Sequence, residues 1–194
     1  DEISKTMNDA LNMGAPNDAG YDYILDFEKR FEIKSRNPVS TGWQQVDSIC
    51  RGGLGAGELG VCIAPTGAGK SMALVHLGAQ GILEGKTVVH YTLELADTVV
   101  ATRYDSCITG IPLSSTFSNK EKIYDAIKDI EGQLIVKEYP TKSASTKTIS
   151  SHLDKLKRRG VEVGMVIVDY GDLLRPISVQ REKRNELESI YEEL

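Results

Sequence analysis

The sequence predicts an α/β fold, in which a mostly parallel sheet is flanked by helices, from three observations. Apolar, strand-like runs alternate along the chain with segments whose apolar residues recur at helical spacing. A loop of small residues at positions 64–71 connects one apolar run to one helical segment. A later run at 163–169 is almost continuously apolar and ends in a carboxylate, as parallel strands buried on both faces do. In such sheets, ligands bind at the carboxyl ends of the strands.

Length and composition indicate one domain with an additional segment. The 194 residues are 40% hydrophobic, enough to bury a full core, and the net charge of −5 neither supports nor excludes a nucleic-acid partner. No apolar run approaches the roughly 18 residues of a membrane span, and no signal peptide is visible. We therefore expect no membrane association and a cytoplasmic location. The chain starts at Asp1 and ends at Leu194 within a helical pattern, so we expect it to be part of a longer protein.

The cysteines give no sign of a disulfide or a metal site. Cys50, Cys62 and Cys107 are odd in number and show no close pairing motif, so we expect reduced thiols. Cys62 falls within a predicted buried strand.

Residues 1–40 are predicted to form a helical linker segment ahead of the main domain. Residues 2–11 and 21–31 have helical patterns, and turn-forming residues separate them. Pro38 breaks the pattern that follows. The main domain is therefore predicted to occupy residues 41–194.

Within the main domain, strand and helix patterns alternate in the order that a parallel sheet requires. The predicted strands are residues 59–64, 87–93, 133–139 and 163–169. The predicted helices are residues 72–83, 97–108, 120–131, 146–159 and a last one from Glu182. In the fourth helix, Ile149, Leu153 and Leu156 share one face. Gly160 ends that helix because glycine readily adopts the left-handed conformation of a helix end.

The loop reads Ala-Pro-Thr-Gly-Ala-Gly-Lys-Ser, the pattern of a phosphate-binding P-loop with alanine at its first position. Small residues let successive backbone N–H groups surround phosphate oxygens at a helix N-terminus. Lys70 then reaches the β and γ phosphates, and the Ser71 hydroxyl binds Mg²⁺. The predicted nucleotide-binding residues are Ala64, Pro65, Thr66, Gly67, Ala68, Gly69, Lys70, Ser71 and Met72. A chance turn with a Lys-Ser pair is the alternative.

Two carboxylates follow predicted strands and complete a candidate hydrolytic site. Asp169 ends the strand at 163–169 in a Walker B arrangement, where it would orient magnesium through a bound water. Glu94 follows the strand at 87–93, where it could act as general base toward an attacking water. The alternatives are an aspartate that only caps a turn and a glutamate that is only solvated.

Several segments together resemble the RecA-like ATPase domain of DnaB-type replicative DNA helicases, and the resemblance runs from about Thr41 to the end. They are residues 41–47 (TGWQQVD), 52–59 (GGLGAGEL), 91–95 (YTLEL) with Arg103, and 168–170 (VDY) with Leu173. Residues 132–141 (GQLIVKEYPT) are most similar to bacteriophage replicative helicases.

This resemblance implies a helicase motor that hydrolyses ATP with Mg²⁺ and moves along single-stranded DNA as a hexameric ring. It implies that Glu94 and Lys70 are catalytic, and that an arginine finger and a γ-phosphate-sensing glutamine lie beyond Leu194. A primase or a helicase loader is an implied partner. In similar helicases a linker helix packs on the adjacent subunit, so Tyr23, Phe27 and Phe31 are expected either to dock on a neighbouring subunit or to pack on their own domain.

The segment after Asp169 holds the predicted DNA-binding residues, which are Arg175, Arg181, Lys183 and Arg184. In similar helicases this loop faces the central channel, where cations would bind phosphates without reading sequence. A solvated loop is the alternative.

Two other classes of function remain open from the sequence. A RecA-like recombinase or clock-type ATPase would also place a glutamate near position 94. A nucleotide-binding assembly or loader module would use ATP as a switch without unwinding DNA. The opening motifs and the basic loop favour the motor.

Overall fold

The computed structural model describes residues 22–25, 27–28, 36–177 and 183–194. The chain divides into two compact units, residues 1–36 and 37–194. In the first unit, the backbone N–H groups of Ile24 and Leu25 donate to Asp22 Oδ1 at 2.9 and 2.7 Å, which forms a turn. Most of the two helices predicted there lies outside the described residues. The predicted boundary at 40/41 stays a prediction.

The second unit alternates helices and strands. Its helices are α1 (Gln44–Ile49), α2 (Lys70–Leu83), α3 (Asp97–Thr109), α4 (Lys120–Ile127), α5 (Thr146–Arg158) and α6 (Lys183–Glu193). Its strands are β1 (Thr87–Thr92), β2 (Gln133–Glu138) and β3 (Met165–Asp169). These bounds confirm the elements predicted after residue 70, and α4 ends four residues before the predicted end. Gly160 has the predicted left-handed conformation, with φ of 79°.

The three strands form a parallel sheet in the order β2-β1-β3. Strand β1 is central and almost completely buried, because it has a strand on each side and helices over both faces. The register pairs Val88 with Met165 and Thr92 with Asp169, so β1 and β3 end at the same level. The carboxyl ends of the strands therefore meet at one edge of the sheet.

Two apolar clusters cover the two faces of this sheet. One face of β1 packs against α5 and α6, through the buried residues Val89, Tyr91, Leu93, Ala144, Ile149, Leu156, Leu174 and Ile190. The opposite face packs against α2 and α3, through Val75, Ala79, Ile82, Val88, Val100, Tyr104 and Ile167. The result is the three-layer arrangement expected of an α/β fold.

The prediction of a strand at residues 59–64 is wrong. This segment is unpaired, and Leu59 and Ile63 are 58% and 92% exposed. A strand requires a neighbour for its backbone groups, and within the described residues β3 pairs with β1 alone. The free edge of β3 also leaves Val166 42% exposed, so the expectation that this strand is buried on both faces is wrong as well. Cys62 is exposed for the same reason.

The segment that opens the domain is fixed by hydrogen bonds to Asp47. Ser40 Oγ donates to Asp47 Oδ2 at 2.6 Å, and Thr41 donates to Asp47 Oδ1 through both its N–H and its hydroxyl at 2.8 Å. These bonds, that from Ser40 first, hold the pKa of Asp47 below its usual value. The Trp43 ring stacks on His76 of α2, with centroids 4.7 Å apart. The motif at 41–47 thus attaches this segment to helix α2.

Helix α2 lies close to the sheet because it presents glycine at the contact. A Cβ on Gly78 would overlap Tyr104 Oη and would lie 2.9 Å from Ile167 Cδ1. We expect Gly78→Ala to lower the free energy of unfolding by about 1–2 kcal/mol in urea titrations. Overpacking costs about 1–3 kcal/mol, against a gain of up to roughly 1 kcal/mol from the helix propensity of alanine.

Gly81→Ala on the same helix is the matched control. Its Cβ would make a tight contact with Val88 Cγ2 at 3.0 Å, and the helix propensity of alanine offsets the cost of that contact, so we expect a change near zero. Equal stabilities of the two variants would contradict the close contact at Gly78.

Candidate nucleotide-binding site

The loop at residues 64–71 ends at the N-terminus of α2 with the backbone that phosphate binding needs. Gly67 and Gly69 have φ of 79° and 94°, and Gly69 is the N-terminal cap of the helix. A Cβ on either glycine would meet nothing within 4 Å, so backbone conformation and not space requires glycine there. The open side of the loop is where a phosphate would approach the first N–H groups of the helix.

Lys70 is the first residue of α2, and its side chain folds back over the loop. Its Nζ donates to the Ala64 carbonyl oxygen at 2.8 Å, while Pro65 through Gly69 are exposed. The Ser71 side chain is half-buried and the Met72 side chain is exposed at the start of the helix. The end of the loop therefore carries the Lys70 ammonium group and the Ser71 hydroxyl.

Helix α2 runs antiparallel to β3, which carries its N-terminus to the carboxyl edge of the sheet. Gly81 lies over Met165 at the start of β3, and Gly78 lies over Ile167 in its middle. Extending this correspondence places the first turn of α2 near the level of Asp169. The loop at residues 64–71 and Asp169, the predicted Walker B aspartate, therefore face the same edge, although they are about 100 residues apart in sequence.

Asp169 ends β3 at that edge, and Glu94 lies in the bend just after the neighbouring strand β1. The Leu93 N–H donates to the Asp169 carbonyl oxygen at 3.0 Å, so Glu94 comes one residue after a direct backbone contact with Asp169. The Thr92 hydroxyl donates to the Leu95 carbonyl at 2.8 Å and accepts from its N–H, which fixes the turn around Glu94. The Glu94 side chain is exposed, whereas Asp169 is 3% exposed.

These residues fit a magnesium nucleotide. The described residues contain no group of three or more histidine, cysteine or acidic side chains that could hold a metal by themselves. One hydroxyl (Ser71) and one buried carboxylate (Asp169) suit Mg²⁺, which takes oxygen ligands and uses phosphates and waters for the rest of its coordination. The open backbone cradle at Gly67 and Gly69 suits the phosphates.

Sequence reasoning missed a buried polar pair beside Asp169. His90 Nδ1 and Tyr104 Oη are 2.9 Å apart, and the two residues are 0% and 2% exposed. Burial lowers the pKa of His90 to about 4, and the charge of Asp169 partly opposes this shift. A histidine within a strand pattern gives no local signal, because its partner comes from a different element.

The predicted DNA-binding residues are only partly described. Arg175 is exposed and lines a cleft of about 490 Å³, and Arg184 is exposed on α6. Arg181 and the Lys183 side chain lie outside the described residues. The other residues that line the cleft are Lys142, Ser145, Lys147, Pro176, Ile177 and Glu186. Sequence reasoning missed Lys142 and Lys147, because they precede β3 in the chain and only the fold brings them beside the loop after Asp169.

Comparison with known proteins identifies the family. The protein-family model described as "DnaB-like helicase C terminal domain" matches residues 38–194. The chain belongs to this family. The resemblance and the α/β, RecA-like fold predicted from the sequence are thereby confirmed.

One sequence relative supports the same family assignment. This DnaB-like domain is 28% identical over 207 residues to a "DnaB-like replicative helicase" of Enterobacteria phage T4, and the matched region covers 99% of this chain and 43% of the relative. The chain thus spans less than half the length of that relative.

Two solved structures share the fold of this DnaB-like domain. One, described as an ATPase domain, has a TM-score of 0.64 at 15% identity, over 88% of this chain and 62% of that one. The other, described as "The Structure Of A DnaB-Like Replicative Helicase And Its Interactions With Primase", has a TM-score of 0.66 at 14% identity, over 100% and 48%.

We expect Lys70→Ala to weaken ATP binding by this DnaB-like domain. Removing a charged hydrogen-bond donor to phosphate costs about 1.5–3 kcal/mol, which is roughly 10- to 100-fold in the dissociation constant measured by calorimetry. Lys122→Ala, which removes an exposed cation on α4, is the control and should bind like the wild type. Wild-type affinity of Lys70→Ala would show that the phosphates lie elsewhere.

Proposed function

We propose that this domain is the ATP-hydrolysing motor of a replicative DNA helicase, which translocates on single-stranded DNA and unwinds duplex. One structural argument carries the proposal: Glu94 and Asp169 follow neighbouring strands at the carboxyl edge of one parallel sheet, and the contacts of Gly78 and Gly81 with β3 direct the N-terminus of α2 toward that edge. Membership in the DnaB-like family supports it and does not favour the recombinase, clock-type or switch alternatives.

In this proposal Glu94 is the general base. Its backbone is fixed by the Thr92 hydroxyl and by the Leu93 contact to β3, while its carboxylate stays exposed and free of hydrogen bonds from the described residues. It would accept a proton from a water whose oxygen attacks the γ-phosphorus, as the bond from that phosphorus to the β–γ bridging oxygen breaks. The products are ADP and phosphate.

The P-loop would stabilise the charge that develops on the phosphates. The Lys70 ammonium group would leave the Ala64 carbonyl for the β and γ oxygens, and the first N–H groups of α2 would donate to them. Ser71 and Asp169 would hold Mg²⁺, which neutralises charge on these oxygens when bound. Positioning and electrostatics would therefore supply most of the rate enhancement.

The exposure of this site suggests completion by a neighbouring subunit. Pro65 through Gly69 and Glu94 are exposed, so the described residues leave one side of the site uncovered. We propose a hexameric ring in which an adjacent subunit supplies a cation to the γ-phosphate. The solved relative that is described with its primase interactions supports a primase as a further partner, and a helicase loader stays a prediction from the sequence.

The proposed cellular location follows from the phage relative. A phage replicative helicase would act in the host cytoplasm. In the part of the chain described by the structure, no helix is both long and apolar enough to cross a bilayer.

The cleft behind the site supports binding to a nucleic-acid backbone. Lys142, Lys147 and Arg175 bring three cations to it from separate segments, against one acid, Glu186. The three cations are exposed and form no ion pair with any residue in the described ranges. Phosphate binding by such cations is independent of sequence and falls steeply with salt.

Backbone hydrogen bonds make this cleft one unit with the loop after Asp169. The Lys142 N–H donates to the Leu173 carbonyl at 2.8 Å, and the Arg175 N–H donates to the Ala144 carbonyl at 2.7 Å. A displacement of the chain after Asp169 would therefore move Lys142 together with Arg175. We propose that this connection transmits the state of the bound nucleotide to the bound single-stranded DNA.

The decisive test of the function measures ATP hydrolysis by the intact protein with and without single-stranded DNA, together with strand separation. We expect DNA to stimulate hydrolysis, and we expect Glu94→Gln to bind ATP normally while hydrolysis falls by about 10²- to 10⁴-fold. Glu121→Gln, an exposed glutamate on α4, is the control. Absence of both stimulation and unwinding would refute the motor, and near-normal hydrolysis by Glu94→Gln would refute the assigned base.

A second test concerns the cleft. The triple variant Lys142→Ala, Lys147→Ala, Arg175→Ala should weaken single-stranded DNA binding and flatten its salt dependence, because it removes up to three phosphate contacts. Each contact contributes a slope of about −0.7 in log affinity against log salt for single strands, measured by fluorescence anisotropy.

The matched control removes the same number of cations from the other end of α5. Lys155, Lys157 and Arg158 lie in its last turn, where positive charge complements the helix dipole. Changing these three to alanine should leave the salt slope unaltered. Equal effects of the two triple variants would show that the cleft cations act only through general electrostatic attraction and do not contact the phosphates.

A further inference from the structure

His90 is an unusual residue for its position in the fold. It occupies the middle of β1, the central strand, between Val136 on β2 and Ile167 on β3, and is fully buried. The surrounding cluster on this face of the sheet is apolar, so packing alone would favour an aliphatic side chain. An imidazole here carries a desolvation cost that a purely structural role does not require.

One ring nitrogen is paired and the other is not. Nδ1 is 2.9 Å from Tyr104 Oη, whereas Nε2 is buried without a hydrogen-bond partner among the described residues. Buried polar atoms in proteins are almost always satisfied, so an unpaired buried nitrogen calls for an explanation.

Burial and the hydrogen bond to Tyr104 determine which ring nitrogen of His90 carries the proton. His90 is neutral at pH 7, because burial lowers its pKa to about 4, and burial raises the pKa of Tyr104, which therefore keeps its phenolic proton. Tyr104 can then donate to Nδ1, which leaves the imidazole proton on Nε2. Among the described residues the Tyr104 hydroxyl has no other hydrogen-bond partner, so it acts as the donor in this pair.

Asp169 lies on the same face of the sheet as His90. The register pairs His90 with Ile167 and Thr92 with Asp169, and side chains two residues apart share a face, so His90 and Asp169 are diagonal neighbours. Thr92 is closer in register, but its hydroxyl is engaged with both backbone groups of Leu95. His90 Nε2 is therefore the uncommitted buried donor on the β1 side of Asp169.

Tyr104 is held in place by helix α2. Only glycine at position 78 leaves room for the phenol oxygen beneath the helix that carries Lys70 and Ser71. The Tyr104 ring also meets the His90 ring edge to face, with centroids 5.7 Å apart. Helix α2, Tyr104 and His90 thus form a continuous packed connection from the P-loop helix to the strand beside Asp169.

We propose that His90 is a positioning residue: held by Tyr104, it donates from Nε2 through one bound water to the Asp169 carboxylate and fixes how that carboxylate faces the magnesium nucleotide. Donors behind a carboxylate that orients a metal are a general means of tuning metal affinity. The inference rests on the proposed function, because it takes Asp169 to be the aspartate that orients Mg²⁺.

Two amide substitutions separate the roles of the two ring nitrogens. Asparagine places its amide near the position of Nδ1, and glutamine places its amide near that of Nε2. If His90 acts through Nε2, His90→Gln should retain its function and His90→Asn should lose it. If His90 serves only to pair with Tyr104, the order should be reversed.

The measurement is binding of a fluorescent, non-hydrolysable ATP analogue by the intact protein, titrated with MgCl₂. We expect His90→Asn to require about tenfold more Mg²⁺ for half-maximal binding, within the range found for residues behind metal ligands, and His90→Gln to stay within about twofold of the wild type. Affinity for the analogue in EDTA should be unchanged. Wild-type Mg²⁺ dependence of His90→Asn, or a shift in His90→Gln alone, would overturn the proposal.

A double-mutant cycle tests whether the effect passes through Asp169. In an Asp169→Asn background, His90→Asn should produce no further shift in Mg²⁺ dependence, and an additive shift would overturn the proposal. If both His90 variants fail to fold, as judged by thermal melting, Tyr104→Phe decides: it should raise the Mg²⁺ requirement in the same direction, and an unchanged requirement would overturn the proposal. A wild type without Mg²⁺-dependent binding would instead refute the proposed function.

Discussion

Parallel pairing of β1 with β3 is the constraint on which the site depends. The register sets Thr92 beside Asp169, and one further backbone hydrogen bond, from Leu93 to Asp169, extends it to the residue before Glu94. Two carboxylates 75 positions apart in sequence are thereby brought to one edge. Parallel strands require crossover helices, and these cover both faces of β1 and bury it. The same pairing therefore builds the core and aligns the site.

The two faces of β1 differ in their chemistry. The face toward α5 and α6 is mainly aliphatic and aromatic, and a polar contact on it joins Tyr91 Oη to His152 Nδ1 of α5. The face toward α2 and α3 buries His90, Thr92 and Asp169 in one patch. Burying polar groups opposes folding unless they are paired. Natural proteins accept such departures at functional sites, and this patch lies directly behind the candidate nucleotide site.

The arrangement also indicates how a bound nucleotide and a bound single strand of DNA would influence each other. Asp169 and Arg175 are separated by a short segment that begins with a 3₁₀ turn at Gly171–Leu173, and Tyr191 of α6 donates to Asp172 at 2.7 Å. Burial and that bond together raise the pKa of Tyr191 to about 12. Hydrogen bonds thus attach this segment both to α6 and to the loop at 142–144. In the proposed motor, a change at Asp169 would be passed on to the cationic cleft through these bonds.

The sequence by itself determined the elements and the residues whose chemistry depends on close neighbours in the chain. Helical spacing located α2, α3 and α5, Gly160 marked the end of α5, and the glycines of the P-loop specified a backbone with positive φ. These features depend on interactions across a few residues, which a linear pattern records. The motifs likewise indicated the family, because they lie in the correct order.

Only the tertiary structure decided pairing and burial. It left residues 59–64 without a strand partner and exposed Cys62 and Val166, although their apolar pattern predicted a buried strand. It joined His90 to Tyr104, and it brought Lys142 and Lys147 to Arg175. The physical reason is that burial and hydrogen bonding depend on which distant segment becomes the neighbour. The alternation of apolar and polar residues indicates only that the apolar face of an element needs a neighbour.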